Sequence, residues 1–384
     1  MKVLIIAFGH PDNVFSLSHY LSKKVELTLL FCVANQHYQE GLLNIKLNKD
    51  DNLIIREKKR IRQIIPKNIL DFINGDFRLW VFNQKSRKVL NLQNWIDIYK
   101  LQKYINKEHF DVIHYNGESG FIIPLYYFNL NKKQLWTLHD YKPHSGEETK
   151  IMELVNLFIV KRKKLTLIQH YKYLQNESIK HFNLKKEKVK LLRSGTLDVL
   201  KKFKGIKIIE GDYFLFFGRI SKYKGIDNLL KAYNNILNPK WKLVVAGRGN
   251  FWFDVSEYKN NNNIIFINRY IETEELVGLI SNSKFVVTPY IDATHSAVIM
   301  SAYVFNKPVI ASNLEGIKEV VKNYVTGIIF SNENPVNELK LVLESLMFEE
   351  SILNKMSANI KEEKKHGELS WENIVLNYRR VYGE

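Results

Sequence analysis

Short unbroken apolar runs alternate along this chain with longer amphipathic stretches. In the first half the runs fall at 2–9, 25–34, 111–116, 134–139, 165–170 and 189–192; in the second, at 213–218, 241–246, 263–267, 285–289, 308–312 and 327–330. Most are continuously apolar, as in Val3-Leu4-Ile5-Ile6-Ala7-Phe8. A strand that is apolar on both sides is covered on both sides, and such strands belong to parallel sheets. Helix-period segments lie between several of them, at 226–237 and 272–280. The pattern predicts an α/β, doubly wound architecture. Each half supplies about six strands, and 384 residues suit two such domains in tandem better than one sheet.

The break is expected near 196–211, where Lys201-Lys202-Phe203-Lys204-Gly205-Ile206-Lys207 is polar, basic and contains a glycine. The sequence ends on a helical spacing of Trp371, Ile374, Val375, Tyr378 and Val381. No apolar run approaches the roughly 18 residues of a membrane-spanning helix. The first run lacks a small-residue cleavage site, so it reads as a buried strand and not as a signal peptide. A single cysteine, Cys32, allows no intrachain disulfide and fits a cytoplasmic protein.

Charge divides the chain unevenly. The net charge is +17, of which residues 1–200 carry +14 and the remainder +3. A uniform lysine bias would not split this way, so the first half is expected to meet a polyanion: nucleic acid, an anionic membrane surface or an acidic substrate. Two basic runs stand out. Arg56-Glu57-Lys58-Lys59-Arg60-Ile61-Arg62 lies among Ile54, Ile55, Ile64 and Ile65, which fall on one side if the segment is a helix; such a basic amphipathic helix suits either a solvated face or an anionic membrane. Lys161-Arg162-Lys163-Lys164 falls between two apolar stretches. The basic half contains no recognisable nucleic-acid module, which argues against that partner.

In a parallel sheet, ligands bind beyond the carboxyl ends of the strands. The polar residues at those exits are Gly9-His10, Asn116 to Glu118, His139-Asp140 with His144 and Glu147 beyond, residues 218–225, Gly247-Arg248-Gly249, and residues 289–296. Such exits from both halves predict a cleft between two domains. Residues 218–225 are the sharpest candidate. Gly218 and Gly225 let backbone approach a ligand, Arg219 offers a bidentate fork and Lys224 a point charge, and a helix is expected from Ile226. Together they suit a diphosphate leaving group. Thr294 or Ser296 would cap a helix starting at Ala297, a second anion site. There is no third glycine for a dinucleotide fingerprint, no Walker-type Gly-Lys-Ser/Thr and no Gly-x-Ser-x-Gly elbow. Metal-ligand spacing is absent too.

Several of these segments, taken in order, resemble family 4 glycosyltransferases of the GT-B fold. Gly218-Arg219-x4-Lys224-Gly225 is similar to that family's diphosphate-binding signature. Val244-Val245-Ala246-Gly247-Arg248-Gly249 resembles its next strand and turn. Pro308 to Ser312, followed by Gly316, Glu319, Val320 and Gly327, resembles its closing pattern. Asp111-Val112-Ile113-His114 and Thr137-Leu138-His139-Asp140 resemble its usual strand endings in the first domain. One departure is plain. Where many members carry two glutamates separated by seven residues, this chain has Ala293 and Ser301, with Asp292 one place away, as in a bacterial subgroup lacking the pair.

The resemblance implies two Rossmann-like domains. Residues 1–198 would bind the acceptor and be completed by a returning helix at 370–384; residues 199–369 would bind the donor. It implies a metal-independent retaining transfer from a nucleotide sugar, expected to be a UDP-sugar, to a lipid-linked or growing glycan acceptor in surface polysaccharide synthesis, with no cofactor, at the inner face of the membrane. Arg219, Lys224 and His139 would be catalytic. Gly9, Gly218, Gly249, Arg269, Asp292, Thr294, His295, Ser296, Ala297, Val298 and Ser301 would bind donor and phosphate. His10, Asn116, Asp140, His144 and Glu147 would line the acceptor side. The rival readings are a nucleotide-sugar epimerase of the same fold and a non-catalytic subunit of glycan synthesis.

Overall fold

The computed structural model describes residues 1–86, 91–141, 150–293 and 296–384, with the side chains of all but 150–152. The chain divides into two units, residues 1–195 with 371–384, and residues 196–370.

The first unit is built on β1 (Lys2–Ala7), β2 (Glu26–Ala34), the pair β3 (His37–Glu40) and β4 (Leu43–Lys46), β5 (Ile54–Ile55), β6 (Arg78–Gln84), β7 (Val112–Asn116), β8 (Lys133–Thr137), β9 (Leu165–Gln169) and β10 (Val189–Leu191). Its main sheet has the order β10-β9-β8-β7-β1-β2-β6-β5. Every pairing in that sheet is parallel except the antiparallel β5 to β6. The chain therefore builds outward from β1 on one side, returns, and builds from β7 on the other. The exits of β1 and β7 flank the point where strand order reverses, which is where doubly wound sheets hold ligands.

The second unit repeats the plan with β11 (Tyr213–Phe217), β12 (Lys242–Ala246), β13 (Ile264–Ile267), β14 (Val286–Thr288), β15 (Val309–Ser312) and β16 (Gly327–Phe330). The order β13-β12-β11-β14-β15-β16 is parallel throughout. The reversal falls between β11 and β14. Phe214, Leu215, Phe216, Val286 and Val287 there are wholly buried, as unbroken apolar runs require.

Each expected strand is present within one or two residues of its expected bounds. The structure adds β3 to β6. β3 and β4 bury only Tyr38, Leu43 and Ile45, alternating with exposed residues, so they lack a continuous apolar run.

Two expectations are corrected. Residues 54–65 do not form one amphipathic helix: Ile54–Ile55 is a strand beside β6, and the helix spans only Lys58–Ile64. Ile61, Ile64 and Ile65 are buried within the unit, so the apolar side that would enter a membrane is already covered. Nor is the stretch around the expected break at 196–211 solvated throughout, although Lys201, Lys202, Lys204, Gly205, Ile206 and Lys207 of the expected linker are exposed. Leu197, Val199, Leu200 and Phe203 are buried, and Gly205 packs against Gly278 so closely that a Cβ would lie 3.0 Å from its backbone.

The helix Trp371–Gly383 packs in the first unit. Trp371 stacks on Tyr20 at 4.9 Å, and Tyr382 Oη lies 2.7 Å from His114 Nδ1. Among the described residues no helix is long and apolar enough to cross a membrane.

Candidate active site

At the reversal point of the second unit, three loops interlock. The first leaves β11 through Gly218 and Arg219, makes a short turn at Lys222–Lys224, and enters the helix Ile226–Asn234. Ile220 N–H donates to Arg248 O of the second loop at 3.1 Å, and Tyr223 O accepts from Ile291 N–H of the third at 2.8 Å. Two glycines make this approach possible. A Cβ on Gly225 would lie 1.9 Å from Pro289 O, and one on Gly247 would lie 1.8 Å from Gly218 O. Gly249 takes its place in the second loop, its amide donating to Asn268 Oδ1 at 3.2 Å.

The lysine is oriented by aromatic faces. Lys224 Nζ sits 3.8 Å from the Tyr290 ring centroid and 5.0 Å from that of Tyr223. Tyr290, buried on the third loop, exchanges a 3.2 Å hydrogen bond with Ser296, and Ser312 donates to its carbonyl at 2.6 Å. A cation over a ring face is restrained electrostatically while its N–H groups stay available.

The third loop leads into the helix Ala297–Val304. Ser296 is at the N-cap, but its hydroxyl makes no cap bond and is engaged with Tyr290 instead. Helix geometry leaves the first amides, those of Ala297 and Val298, without intrahelical acceptors, and their dipoles favour an anion. A Cβ on Gly218 would lie 3.7 Å from Val298 Cγ2, so this helix start lies beside the first loop. The structure thus brings Gly218, Arg219, Lys224, Gly249, Asp292, Ser296, Ala297 and Val298 onto the interlocked loops and the helix they enter.

Thr294 and His295 lie outside the described residues. Ser301 is buried on that helix and turns its hydroxyl back to Ala297 O at 2.9 Å; Ala293 is buried. Arg269 stands apart beyond β13, its guanidinium clamped by both carboxylate oxygens of Glu275 at 2.6 Å.

The first unit carries a compact polar cluster at its own reversal point. Gly9 and His10 follow β1, with His10 in the left-handed region at φ 54°. The His10 and His139 rings lie 3.8 Å apart. His139, buried beyond β8, meets Asn116 Oδ1 through Nε2 at 3.0 Å, and its amide donates to Glu118 Oε1 at 2.9 Å. Asn116 is wholly buried, and its Nδ2 has no partner among the described residues. Glu118 Oε2 is 4.0 Å from His10 Nε2.

The surrounding charges set the protonation of this cluster. Burial works to lower the His10 pKa, but the hydrogen bond and charge of Glu118, with the charges of Glu40 and Asp140, outweigh it and hold the pKa above the ordinary histidine value. Burial pushes the Asp12 carboxyl up to about 6, and the charge of Glu40 adds to this. His144 and Glu147 lie outside the described residues.

Sequence reasoning missed Glu118 as a site residue although it stands in the β7 exit. It missed Glu40 because β3 and β4 bring it in: a Cβ on Gly9 would lie 3.9 Å from Glu40 Oε2. It also missed His170, whose ring centroid is 5.5 Å from that of His139. Among the described residues, no three His, Cys, Asp or Glu side chains are grouped to hold a metal ion.

The loops of the second unit thus set Lys224 over Tyr290, itself bonded to Ser296 at the start of the helix Ala297–Val304, with Arg219 exposed on the first loop. Residues 199–365 match the family described as glycosyl transferases group 1. An uncharacterized glycosyltransferase of Methanocaldococcus jannaschii is 26% identical over 310 residues, covering 78% of this chain and 82% of that protein. An uncharacterized 41.2 kDa protein in the cps region of Klebsiella pneumoniae is 27% identical over 279 residues, covering 67% and 76%. The solved structure of HepE from Anabaena in complex with UDP and glucose superposes with a TM-score of 0.70 at 13% identity, covering 100% of this chain and 99% of that one. The two Rossmann-like units share the fold of that structure, and the family match falls within the second unit apart from its ends.

Proposed function

For an enzyme carrying a glycosyl transferases group 1 domain, we propose a metal-independent, retaining transfer of a sugar from a UDP-sugar to a lipid-linked or growing glycan acceptor at the cytoplasmic face of the membrane. The observation that carries this reading is the meeting of the first loop, which bears Arg219 and Lys224, with the start of the helix Ala297–Val304 at the reversal point of β11 and β14, where Lys224 sits over Tyr290 and Tyr290 bonds Ser296. The bond from the sugar's anomeric carbon to the diphosphate oxygen breaks, and the electron pair leaves with the diphosphate. Arg219 and Lys224 stabilise the charge that develops there, and the helix amides add to it. The acceptor oxygen bonds to the anomeric carbon on the face just vacated, and its proton passes to the leaving phosphate oxygen.

The first unit supplies the sugar and acceptor side. His139, fixed by Asn116 and Glu118, orients the donor sugar, Gly9 contributes to donor binding, and His10 and Asp140 line the acceptor. UDP as the nucleotide is supported by the HepE complex, and a surface-polysaccharide acceptor by the cps-region relative.

The test is incubation with UDP- and GDP-sugars in the presence of a chelator, following nucleotide release. Release from a UDP-sugar that falls by about a hundredfold or more in the Arg219→Ala/Lys224→Ala double variant is expected, the scale of losing a transition-state charge partner. Unchanged release in that folded variant would remove the site assignment.

A further inference from the structure

The basic run at 56–62 plays no part in the chemistry proposed above, and its apolar side is not free for a membrane. Three of its cations, Arg56, Lys58 and Arg62, instead line a groove of about 1210 Å³ in the first unit. The groove opens at the first residues of β2 and β6, Glu26, Leu27 and Arg78 to Trp80. His10, Asn116 and His139 stand at the opposite, carboxyl ends of these parallel strands. With six residues in β1, the two edges are about 20 Å apart. The groove is therefore a separate site.

Its construction is specific. Arg56 lies across two aromatic faces, 4.7 Å from the Tyr104 centroid and 5.5 Å from that of Trp80, which holds its planar fork in place. Lys58 and Arg62 lie four residues apart on the helix Lys58–Ile64, and both line the groove. Like charges at that spacing repel. Among the described residues, neither they nor Lys67, on the next helix, forms an ion pair. A fifth cation, Arg78, is engaged by Glu108 at 2.6 Å. Of the three acids on the wall, Glu26 is shared between Lys2 and Arg78, Asp76 pairs with His19 at 3.2 Å, and Asp71 is exposed. Leu70 and Leu79 supply partly exposed apolar floor between the cations.

We propose that this groove binds a phosphate ester joined to an apolar or polyol body. Arg56 supplies the bidentate fork, Lys58, Arg62 and Lys67 supply point charges, and the leucines receive the body. The shared chemistry fits either an anionic lipid headgroup or a soluble phosphorylated compound. The site is independent of the donor chemistry above.

Two probes separate the sources: phosphatidylglycerol vesicles compared with phosphatidylcholine vesicles in a flotation assay, and glycerol phosphate in a calorimetric titration, both at about 0.1 M salt so that distant charges are screened. Binding to either probe is expected to weaken about tenfold or more in Lys58→Glu/Arg62→Glu. It should change little in Lys161→Glu/Lys163→Glu, which alters the same charge outside the groove. Arg56→Lys, keeping the charge but losing the fork, should also weaken it. Vesicle binding alone identifies a lipid source, and glycerol phosphate binding a soluble one. Absence of wild-type binding to both probes, or equal losses in the two reversal variants, would overturn the proposal. Nucleotide release in solution should be unchanged in Lys58→Glu/Arg62→Glu, so failure here is distinguishable from failure of the glycosyltransferase reading.

Discussion

His10 and His139 stack with ring centroids 3.8 Å apart, tilted by 34°, and Glu118 touches both: one oxygen takes the His139 amide and the other faces His10. Two adjacent protonated imidazoles would repel, yet the acids around His10 raise its pKa above the ordinary value. Glu118 thus favours the protonated form of His10 more than the unfolded chain does. In Glu118→Gln the His10 pKa should fall, measured by its ring proton shift in an NMR titration. The linkage has a definite sign. A raised folded pKa contributes stability that is complete below about 6.5, the unfolded value, and is lost as pH rises through the folded value. The variant should therefore lose stability at mildly acidic pH and little at alkaline pH. A titration unchanged by Glu118→Gln would break the assignment.

Lys224 tests the other reversal point. Its ammonium lies 3.8 Å from the Tyr290 ring, which restrains it without supplying a counter-charge. Lys224→Met keeps the apolar stem but removes the charge. The expected result is a fall in kcat of about a hundredfold or more, with a smaller effect on KM, because charge develops on the diphosphate mainly in the transition state. Tyr290→Phe keeps the ring face and loses only the bond to Ser296, so it should stay within about fivefold of the parent, a loss on the scale of one net hydrogen bond. A Lys224→Met enzyme with parental kcat would exclude the lysine from the chemistry.

The sequence was most readable where physics demands unbroken apolar runs. Strands beside a reversal point, such as β11 with Phe214, Leu215 and Phe216 wholly buried, are covered on both faces and announce themselves. β3 and β4 are covered on one face only, so their period of two hid among polar residues, and with them the arrival of Glu40 near Gly9. β6 begins with Arg78 and ends with Gln84, leaving the short core of Leu79 to Phe82 between polar ends. The site was legible in its glycines and strand exits, since these are local. Glu118 acting on two histidines, and Glu275 clamping Arg269, depend on tertiary neighbours that no spacing announces.

Gly225 is where the loop chemistry becomes a stability question. Its φ is 63°, and an added Cβ would lie 1.9 Å from Pro289 O, a backbone atom that moves only with its loop. Gly225→Ala must therefore separate the first and third loops or force a left-handed alanine, which alone costs about 1–2 kcal/mol. The expected outcome is a lower melting temperature together with weaker UDP binding by calorimetry. Gly75→Ala is the control, since φ is also positive at 77° but its Cβ would meet nothing within 4 Å. It should show the backbone penalty without the loss of binding. Equal effects on binding in both variants would mean that the loops do not need their close approach.

His114 gives the acid sensitivity of the first unit. It is wholly buried on β7, with Tyr382 Oη 2.7 Å from Nδ1 and Thr137 Oγ1 2.8 Å from Nε2. A neutral imidazole, one nitrogen donating and the other accepting, satisfies both partners. Burial, with a smaller contribution from His170, pushes the pKa down to about 3. In the unfolded chain the group protonates near 6.5. The stability that His114 contributes as a neutral ring is therefore present above about 6.5 and is lost as pH falls toward 3, by up to about 1.4 kcal/mol per pH unit. His114→Gln can pair with the same hydroxyls but binds no proton. It should be less stable than the parent at neutral pH, with a shallower decline on acidification in urea unfolding at several pH values. An identical slope in the two proteins would show that the helix Trp371–Gly383 is not anchored through a neutral His114.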